Sequence, residues 1–558
     1  MQPALRTIRR QCMEVFVNTL TDRSNLDHLR KQAKDLLRLY RAGDPAAFER
    51  LRHFLPAAHG RSNDAMRGLQ LRLHDMQSCI AREYGFASWN ELKDAVELRR
   101  ARAQDAHALR LYWAGLVFGG DLTGAALRPR PVVAARLLAE TPDLVGNDPW
   151  LACAIGDLDT VRRAADADPA WVNQAGGLLR VAPLVAVTHS SLTKLPRFHA
   201  GLVGCLRLLL ERGADANGFY LNRWPPHSLE EPGEERLSAL YGAAGKHHDL
   251  EMTRLLLAAG ADGNDNESLY HSIDDPDTAL PCTRALLEAG TRVTGSNALA
   301  KVLDMDNLEG LKLLLRYTPH GDADLGRILH WAIYRGRSAA HVRALLDAGA
   351  DPKSLSPHHQ DAFHHAADAG LPEVMRMLKG GGDTLTEEEQ FVSACARADE
   401  AEARRLFEPG VFARLSPAQL KQLPNLAMSG RDDAVRLMVE LGWPVATRGG
   451  DIDGSALNWA VFRGRPELAE FLLERGASFR EPHGYNSDVL GTLSWASINQ
   501  PRHDGDWPGC AAALLRHGLP PATPLPESRQ PKPHRMVRID GRDMTCSEDV
   551  AEILLGGE

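Results

Sequence analysis

Long apolar runs are missing from this chain of 558 residues. No stretch approaches the roughly 18 uninterrupted apolar residues of a membrane-spanning helix, and Arg6, Arg9 and Arg10 are not followed by the apolar run of a secretory leader. The eight cysteines (Cys12, Cys79, Cys153, Cys205, Cys282, Cys395, Cys510, Cys546) never form a C-x-x-C pair. That excludes the usual zinc pattern and gives no sign of a disulfide framework, so reduced and mostly buried thiols are expected. Also missing are the G-x-S-x-G elbow, H-E-x-x-H, the phosphate-binding G-x-x-x-x-G-K and the dinucleotide G-x-G-x-x-G. No enzymatic role and no cofactor are therefore expected. Strong charge is lacking too: a net charge of -8 and a pI near 6.3 give no electrostatic reason for the whole molecule to bind nucleic acid. Hydrophobic content of 44% and charged content of 25% fit a chain that folds and is neither disordered nor a membrane protein. A cytoplasmic location is expected.

The length exceeds what one compact core sustains, which leaves several domains or one extended array. Charge is uneven along it. Residues 1–104 hold about nineteen Lys and Arg against about twelve Asp and Glu, roughly +7, leaving roughly -15 for the remainder.

What the chain has in quantity is self-similarity. An apolar helix end followed by Gly-Ala-Asp, or a variant, is fullest as Leu208-Leu-Leu-Glu-Arg-Gly-Ala-Asp-Ala-Asn217. It returns at Leu255 to Asn264, Ala344 to Pro352 and Phe471 to Ser478, with weaker copies ending near Gly290, Gly381, Gly442 and Gly518. Glycine there can take the left-handed conformation that stops a helix. About 20 residues upstream of several copies lies a second short helix: Ile328-Leu-His-Trp-Ala332, Ala362-Phe-His-His-Ala366, Ala456-Leu-Asn-Trp-Ala460 and Thr492-Leu-Ser-Trp-Ala496.

A T-P-L-H-x-A helix, a short Gly-containing link, a longer helix and a Leu-Leu-x-x-Gly-Ala-Asp ending resemble ankyrin repeats. The period of that family is about 33 residues, and Gly442 to Gly476 comes close to it. Candidate units, about eleven, begin near residues 150, 183, 239, 269, 297, 328, 362, 390, 424, 455 and 490. The unit at Asn297 lacks the terminal Gly-Ala-Asp, and the unit at Gln390 has alanine where the interhelical glycine is usual. The resemblance implies an all-α ankyrin-repeat solenoid of helix pairs, each burying its apolar side against its neighbours. It also implies binding of another macromolecule as the protein's work.

Four regions are expected: a helical segment over residues 1–104, a linker or degenerate repeat over 105–149, the array over 150–522, and over 523–558 a Pro-rich spacer with a hairpin and a last helix. In the first, Leu26, Leu29, Ala33, Leu36, Leu37 and Tyr40 fall on one helical face, Gly43 stops that helix, and Asp44-Pro45 starts another. A later helix runs from about Leu71 to Gly85, and Ser88-Trp-Asn-Glu91 is a capping box. The run Cys79 to Leu92, with Lys31-Gln-Ala-Lys-Asp-Leu-Leu37 upstream, resembles a helical segment that precedes ankyrin arrays in many bacterial proteins, and a cap on the first repeat is its expected role. The step from Asn217 to Leu237 carries Trp224-Pro-Pro226 and a run of glutamates, and should project as a loop. In the tail, Pro520 to Pro533 favours an extended spacer, Met536 to Cys546 a hairpin about Asp540-Gly541, and Ser547 the cap of a terminal helix.

In the ankyrin family the two positions before the interhelical glycine look outward on the concave face. Here they are Tyr334 and Arg335, Phe462 and Arg463, Gly245 and Lys246, Ala396 and Arg397, Ile498 and Asn499. Tyr, Phe and Arg are enriched at binding hot spots, although exposed aromatics on a helix are also ordinary surface. The partner expected is an unidentified protein, with neither nucleic acid nor a membrane, and the oligomeric state is left open. Trp331, Trp459 and Trp495 are expected in the core. His358, His359, His364 and His365 are the densest group of possible metal ligands, but His364 and His330 fall where the resemblance implies hydrogen bonds to adjoining repeats, and no metal is expected. Asp304-Met-Asp306 and Asp451-Ile-Asp453-Gly454 read as turns. Two alternatives remain: an unrecognised enzyme using the histidine group, or the basic N-terminal helices as the working contact.

Overall fold

The structure, a computed structural model, describes residues 20, 25–69, 71–102, 105–124, 128–380, 384–499, 505–525 and 535–556. Arg6, Arg9, Arg10, Cys12, the Gly381-Gly382 pair and the Pro531 to Pro533 run lie outside these residues. The contacts divide the chain into two units, residues 1–148 with 223–231, and residues 149–222 with 232–558. Among the described residues no helix is long and apolar enough to cross a membrane.

In the first unit the one-face pattern becomes the helix Leu26–Arg41, with Leu29, Ala33 and Leu36 fully buried and Asn25 accepting from the Asp27 N–H at 2.7 Å. Asp44 caps Pro45–Phe54, accepting from the Ala47 N–H at 2.9 Å. Helix Leu73–Glu83 follows, and Ser88 accepts from the Glu91 N–H at 3.2 Å to open Trp89–Arg102. Their apolar stripes, among them Phe48, Leu51, Met76, Ile80 and Leu92, make one core. Residues 106–140 add Ala106–Phe118, Gly120–Thr123 and Pro131–Glu140, with Trp113 fully buried and its Nε1 donating to the Ala134 carbonyl at 3.1 Å. The segment Arg223–Glu231, expected at the tip of a projecting loop, belongs to this unit. Arg223 is buried, its N–H donating to the Asp121 carbonyl and its Nη1 to the Leu122 carbonyl, each at 2.8 Å. The carbonyl end of a short helix is a partner for a guanidinium, and that contact draws the segment down.

The second unit is a row of helix pairs. Among the described residues eleven first helices appear: Pro149–Ile155, Pro183–Thr188, the π-helical Tyr241–Lys246, Ser268–Ser272, Ala298–Asp304, Leu325–Tyr334, Ala362–Asp368, Glu387–Ala396, Gln422–Ser429, Ala456–Phe462 and Val489–Asn499, each followed by a second helix. Ala456–Phe462 packs on its own second helix, Pro466–Glu474, and on the first helices before and after it. The buried core runs without a break from Phe391 to Leu554. Loops join the units, and in two of them the residue at the T-P-L-H histidine position ties the following loop to its helix. His330 Nε2 meets the Ser354 carbonyl at 2.9 Å, and Asn458, in the same place, donates to the Glu481 carbonyl at 3.2 Å and accepts from Thr492 at 2.8 Å.

The far end is closed by strands Arg535–Ile539 and Arg542–Cys546, turning through Asp540 and Gly541, both at positive φ, and by helix Glu548–Leu554. Ser547 stands at the N-cap of that helix without a side-chain cap bond; its N–H instead donates to Ser497 at 3.1 Å. Of the Pro-rich stretch expected as a spacer, residues 526–534 lie outside the described residues, and residues 520–525 lead into a short edge strand. Thr523–Pro524 pairs with Arg538 and Val537, and Ala522 is buried with its N–H on the Leu554 carbonyl. Edge pairing tolerates Pro524, whose missing N–H would fail only in a central strand.

The turn between the helices of a pair requires a left-handed residue. Gly336 (φ +66°) has open space at its missing Cβ, whereas a Cβ on Gly464 (φ +67°) would lie 2.8 Å from the Asp506 N. Ala398 holds the same conformation at φ 57°. Gly336→Ala should therefore cost about 1 kcal/mol, Gly464→Ala clearly more, and Ala398→Gly should raise stability by a few tenths to about 1 kcal/mol. Thermal unfolding midpoints of the three variants check the order.

Candidate partner-binding face

The first helices share a side that carries the residue after the histidine position and the two residues before the interhelical turn. In Leu325–Tyr334 and its C-cap these are Trp331, Tyr334 and Arg335. Arg335 is held from every direction: Nε to Asp304 at 2.7 Å, Nη2 to Asp451 at 2.7 Å, and Nη1 near the Met428 sulfur at 3.7 Å. Its guanidinium carbon lies 4.5 Å from the Trp331 ring centre and 5.5 Å from that of Tyr334. The Trp331 Nε1 donates to Asp304 at 2.9 Å, and the Tyr334 hydroxyl to Asp451 at 3.3 Å. Burial works to lower the Arg335 pKa, yet the two carboxylates carry it above its ordinary value, and burial with Asp451 pushes the Tyr334 phenol up. Tyr334 and Asp451 stand 117 positions apart, so the intervening units curl toward this side.

Three of the four residues of the sequence-predicted quartet, Tyr334, Arg335 and Arg463, meet around Met428. Arg463 Nη1 donates to the Met428 carbonyl at 2.9 Å, and Phe462 packs edge-on against Trp459 and face-to-face with Trp495, ring centres 5.6 Å apart and planes 11° from parallel. The other predicted positions do not join it. Gly245 and Ala396 are buried, Lys246 sits in the π-turn, Arg397 donates to Ser393 at 2.8 Å, Ile498 is half-buried, and Asn499 donates to the Trp495 carbonyl at 3.0 Å. Of the tryptophans expected in the core, Trp459 is buried with its Nε1 on the Gly449 carbonyl, Trp331 is half-buried, and Trp495 is 52% exposed. Trp495 lies on the last first helix among the described residues, so no further first helix covers it. Asp304 and Asp451, read from sequence as turn residues, are the carboxylates that grip Arg335; neither spacing nor composition signals that pairing.

The histidines do not converge. His358 and His359 are exposed, and His364 Nδ1 bonds Asp361 at 2.7 Å and also reaches the Thr384 backbone. His365 stacks on His330 with Nδ1 to Nδ1 3.0 Å, one ring donating to the other. Burial pushes His365 down to about 3, which keeps that pair neutral. Among the described residues no three His, Cys, Asp or Glu side chains stand where they could hold a metal ion. The basic N-terminal helices spend much of their charge internally, in Arg30–Asp27, Arg52–Glu49 and Arg67–Asp64 pairs and in Arg50 on Glu83 at 2.7 Å.

Residues 423–473 match the family model described as ankyrin repeats (many copies). That stretch is similar to ankyrin repeats. Two solved structures resemble the protein. The ankyrin repeat domain of Bcl-3, described as a unique member of the IkappaB protein family, is 18% identical with a TM-score of 0.22, covering 46% of this chain and 96% of its own. The human ASB11 ankyrin repeat domain is 22% identical with a TM-score of 0.18, covering 51% and 100%. No curated protein matches the sequence. The row of helix pairs rests on its own repeated geometry.

One buried carboxylate lies at the end of a first helix of the array. Asp368 is fully buried, accepting from Gln360 at 2.6 Å and Gln419 at 3.5 Å, and burial pushes it up to about 6 against those two donors. A folded pKa raised above the unfolded value stabilises most below about 4, and that contribution is lost as pH rises through about 6. Asp368→Asn should therefore exceed the wild type in stability at pH 7.5 by about 2 kcal/mol, with the advantage vanishing near pH 4. Urea denaturation at the two pH values measures it.

Proposed function

We propose that the protein is an interaction scaffold that holds a protein partner on the inner side of its first helices. The observation that carries this reading is the aromatic ledge: Trp495 is 52% exposed and stacked flat on Phe462, next to Trp459 and Arg463. An exposed indole backed by a second ring offers large, rigid contact area at small entropic cost, the character of a hot spot. The ankyrin-repeat match over residues 423–473, which contains Phe462, supports an interaction role. The basic N-terminal alternative has less behind it, because so many of its arginines already have acidic neighbours.

Replacing Phe462 and Trp495 together by alanine should weaken partner capture at least tenfold while leaving the helical circular dichroism unchanged. A photo-crosslinking residue placed at position 495 should join the partner, and one at the outer helix position Glu470 should not. Full capture by the double variant would reject this side of the array as the contact.

A further inference from the structure

The Arg335 cluster is more than stacking requires. Neighbouring ankyrin units bury their apolar sides without it, yet residues from three units converge on one guanidinium: Asp304, Trp331 with Tyr334, and Met428 with Asp451. Carboxylates 2.7 Å from Nε and from Nη2 take donors at two corners of the planar fork, a sulfur lies at the third, and indole and phenol rings lie within cation–π distance of its carbon. A lysine ammonium has no plane to stack and no fork to divide between two carboxylates, so the arrangement selects arginine. We propose that Asp304, Trp331, Tyr334, Met428 and Asp451 form a guanidinium seat, filled in the free protein by Arg335 as a self-ligand, and that an arginine of the bound partner takes it over. This rests on the scaffold reading above and names the chemistry that the partner must bring.

Three observations support a hand-over rather than a fixed strut. The receiving carboxylates remain open to solvent, Asp304 33% and Asp451 40% exposed, while the Arg335 side chain is only 15% exposed. The Asp451 side of the seat is a loop, pinned by the Gly449–Gly454 bridge and by Arg448 on Asp453, so that the seat can part there without breaking a helix. The aromatic ledge continues from it through Arg463 and Phe462 to Trp495, where Asn499 stands at the position of Arg335 and Arg463. The chain beyond residue 104 carries roughly -15, which suits a basic partner segment.

Two measurements on the full chain test this. In Arg335→Ala the vacated seat should bind methylguanidinium at millimolar concentration, raising the thermal midpoint saturably, while methylammonium does nothing and Arg335→Ala with Asp451→Asn responds to neither. No response, or an equal response to both cations, in a variant with wild-type circular dichroism overturns the seat. In the wild type, hexa-arginine should shift the Trp331 indole N–H resonance, assigned with Trp331→Phe, and hexa-lysine should not. An unmoved resonance overturns the hand-over even if Arg335→Ala fails to fold. Neither readout involves the natural partner, so loss of the scaffold reading, seen as intact capture by the Phe462 and Trp495 variant, would be distinguishable from loss of this one.

Discussion

A helix of seven to ten residues, paired with one other, leaves an apolar stripe that neither helix can cover, and the structure follows from that deficit. Ala456–Phe462 puts Ala456, Leu457, Trp459, Ala460 and Val461 into the core, more apolar surface than Pro466–Glu474 alone can shield. Each first helix therefore needs one before it and one after it, and the buried cluster from Phe391 to Leu554 has no internal boundary. The same deficit explains the tail. The last pair would expose its outer side, and Val537, Ile539, Cys546, Val550 and Leu554 of the closing hairpin and helix supply the missing cover.

Burial of apolar side chains is not directional, so polar groups fix the spacing and register. Asn458 spends its amide on Ser455, the Glu481 carbonyl and Thr492, joining a helix, the next loop and the next helix. His330 and His365 join their units through one ring-to-ring hydrogen bond, which requires the accepting ring to be neutral. Such groups are costly to bury unless every one is met, which makes an alternative stacking register expensive. The seven described cysteines are buried, and burial raises the thiols of Cys79, Cys205, Cys395 and Cys546 to about 12, so these four pack as small apolar side chains and are poor nucleophiles.

The Arg335 cluster differs in kind. Contacts elsewhere in the array join one unit to the next, but here side chains 94 and 117 positions apart meet, and electrostatics, not apolar burial, holds them. A half-buried guanidinium between two carboxylates is dear to desolvate and strong once paired. It joins parts of the array that the sequence keeps far apart.

The sequence by itself determined whatever is local. A glycine that must turn left-handed, an Asp-Pro start and an apolar residue at every third or fourth place each act within one helical turn, and so the helix pairs, the Asp540-Gly541 hairpin and the burial of Trp459 were legible in it. Tertiary structure decided whatever depends on a neighbour's presence. Trp495 has the same local setting as Trp459 but lies in the last unit, and it is exposed because no later helix arrives to cover it. Pro524 reads as spacer until a strand edge offers it a partner, and Arg223 reads as loop until the carbonyls of Asp121 and Leu122 lie beneath it. Asp304 and Asp451 were turn residues in the sequence; they became the grip on Arg335 because the array curls, and its curl is the sum of many small unit-to-unit rotations that no single repeat encodes.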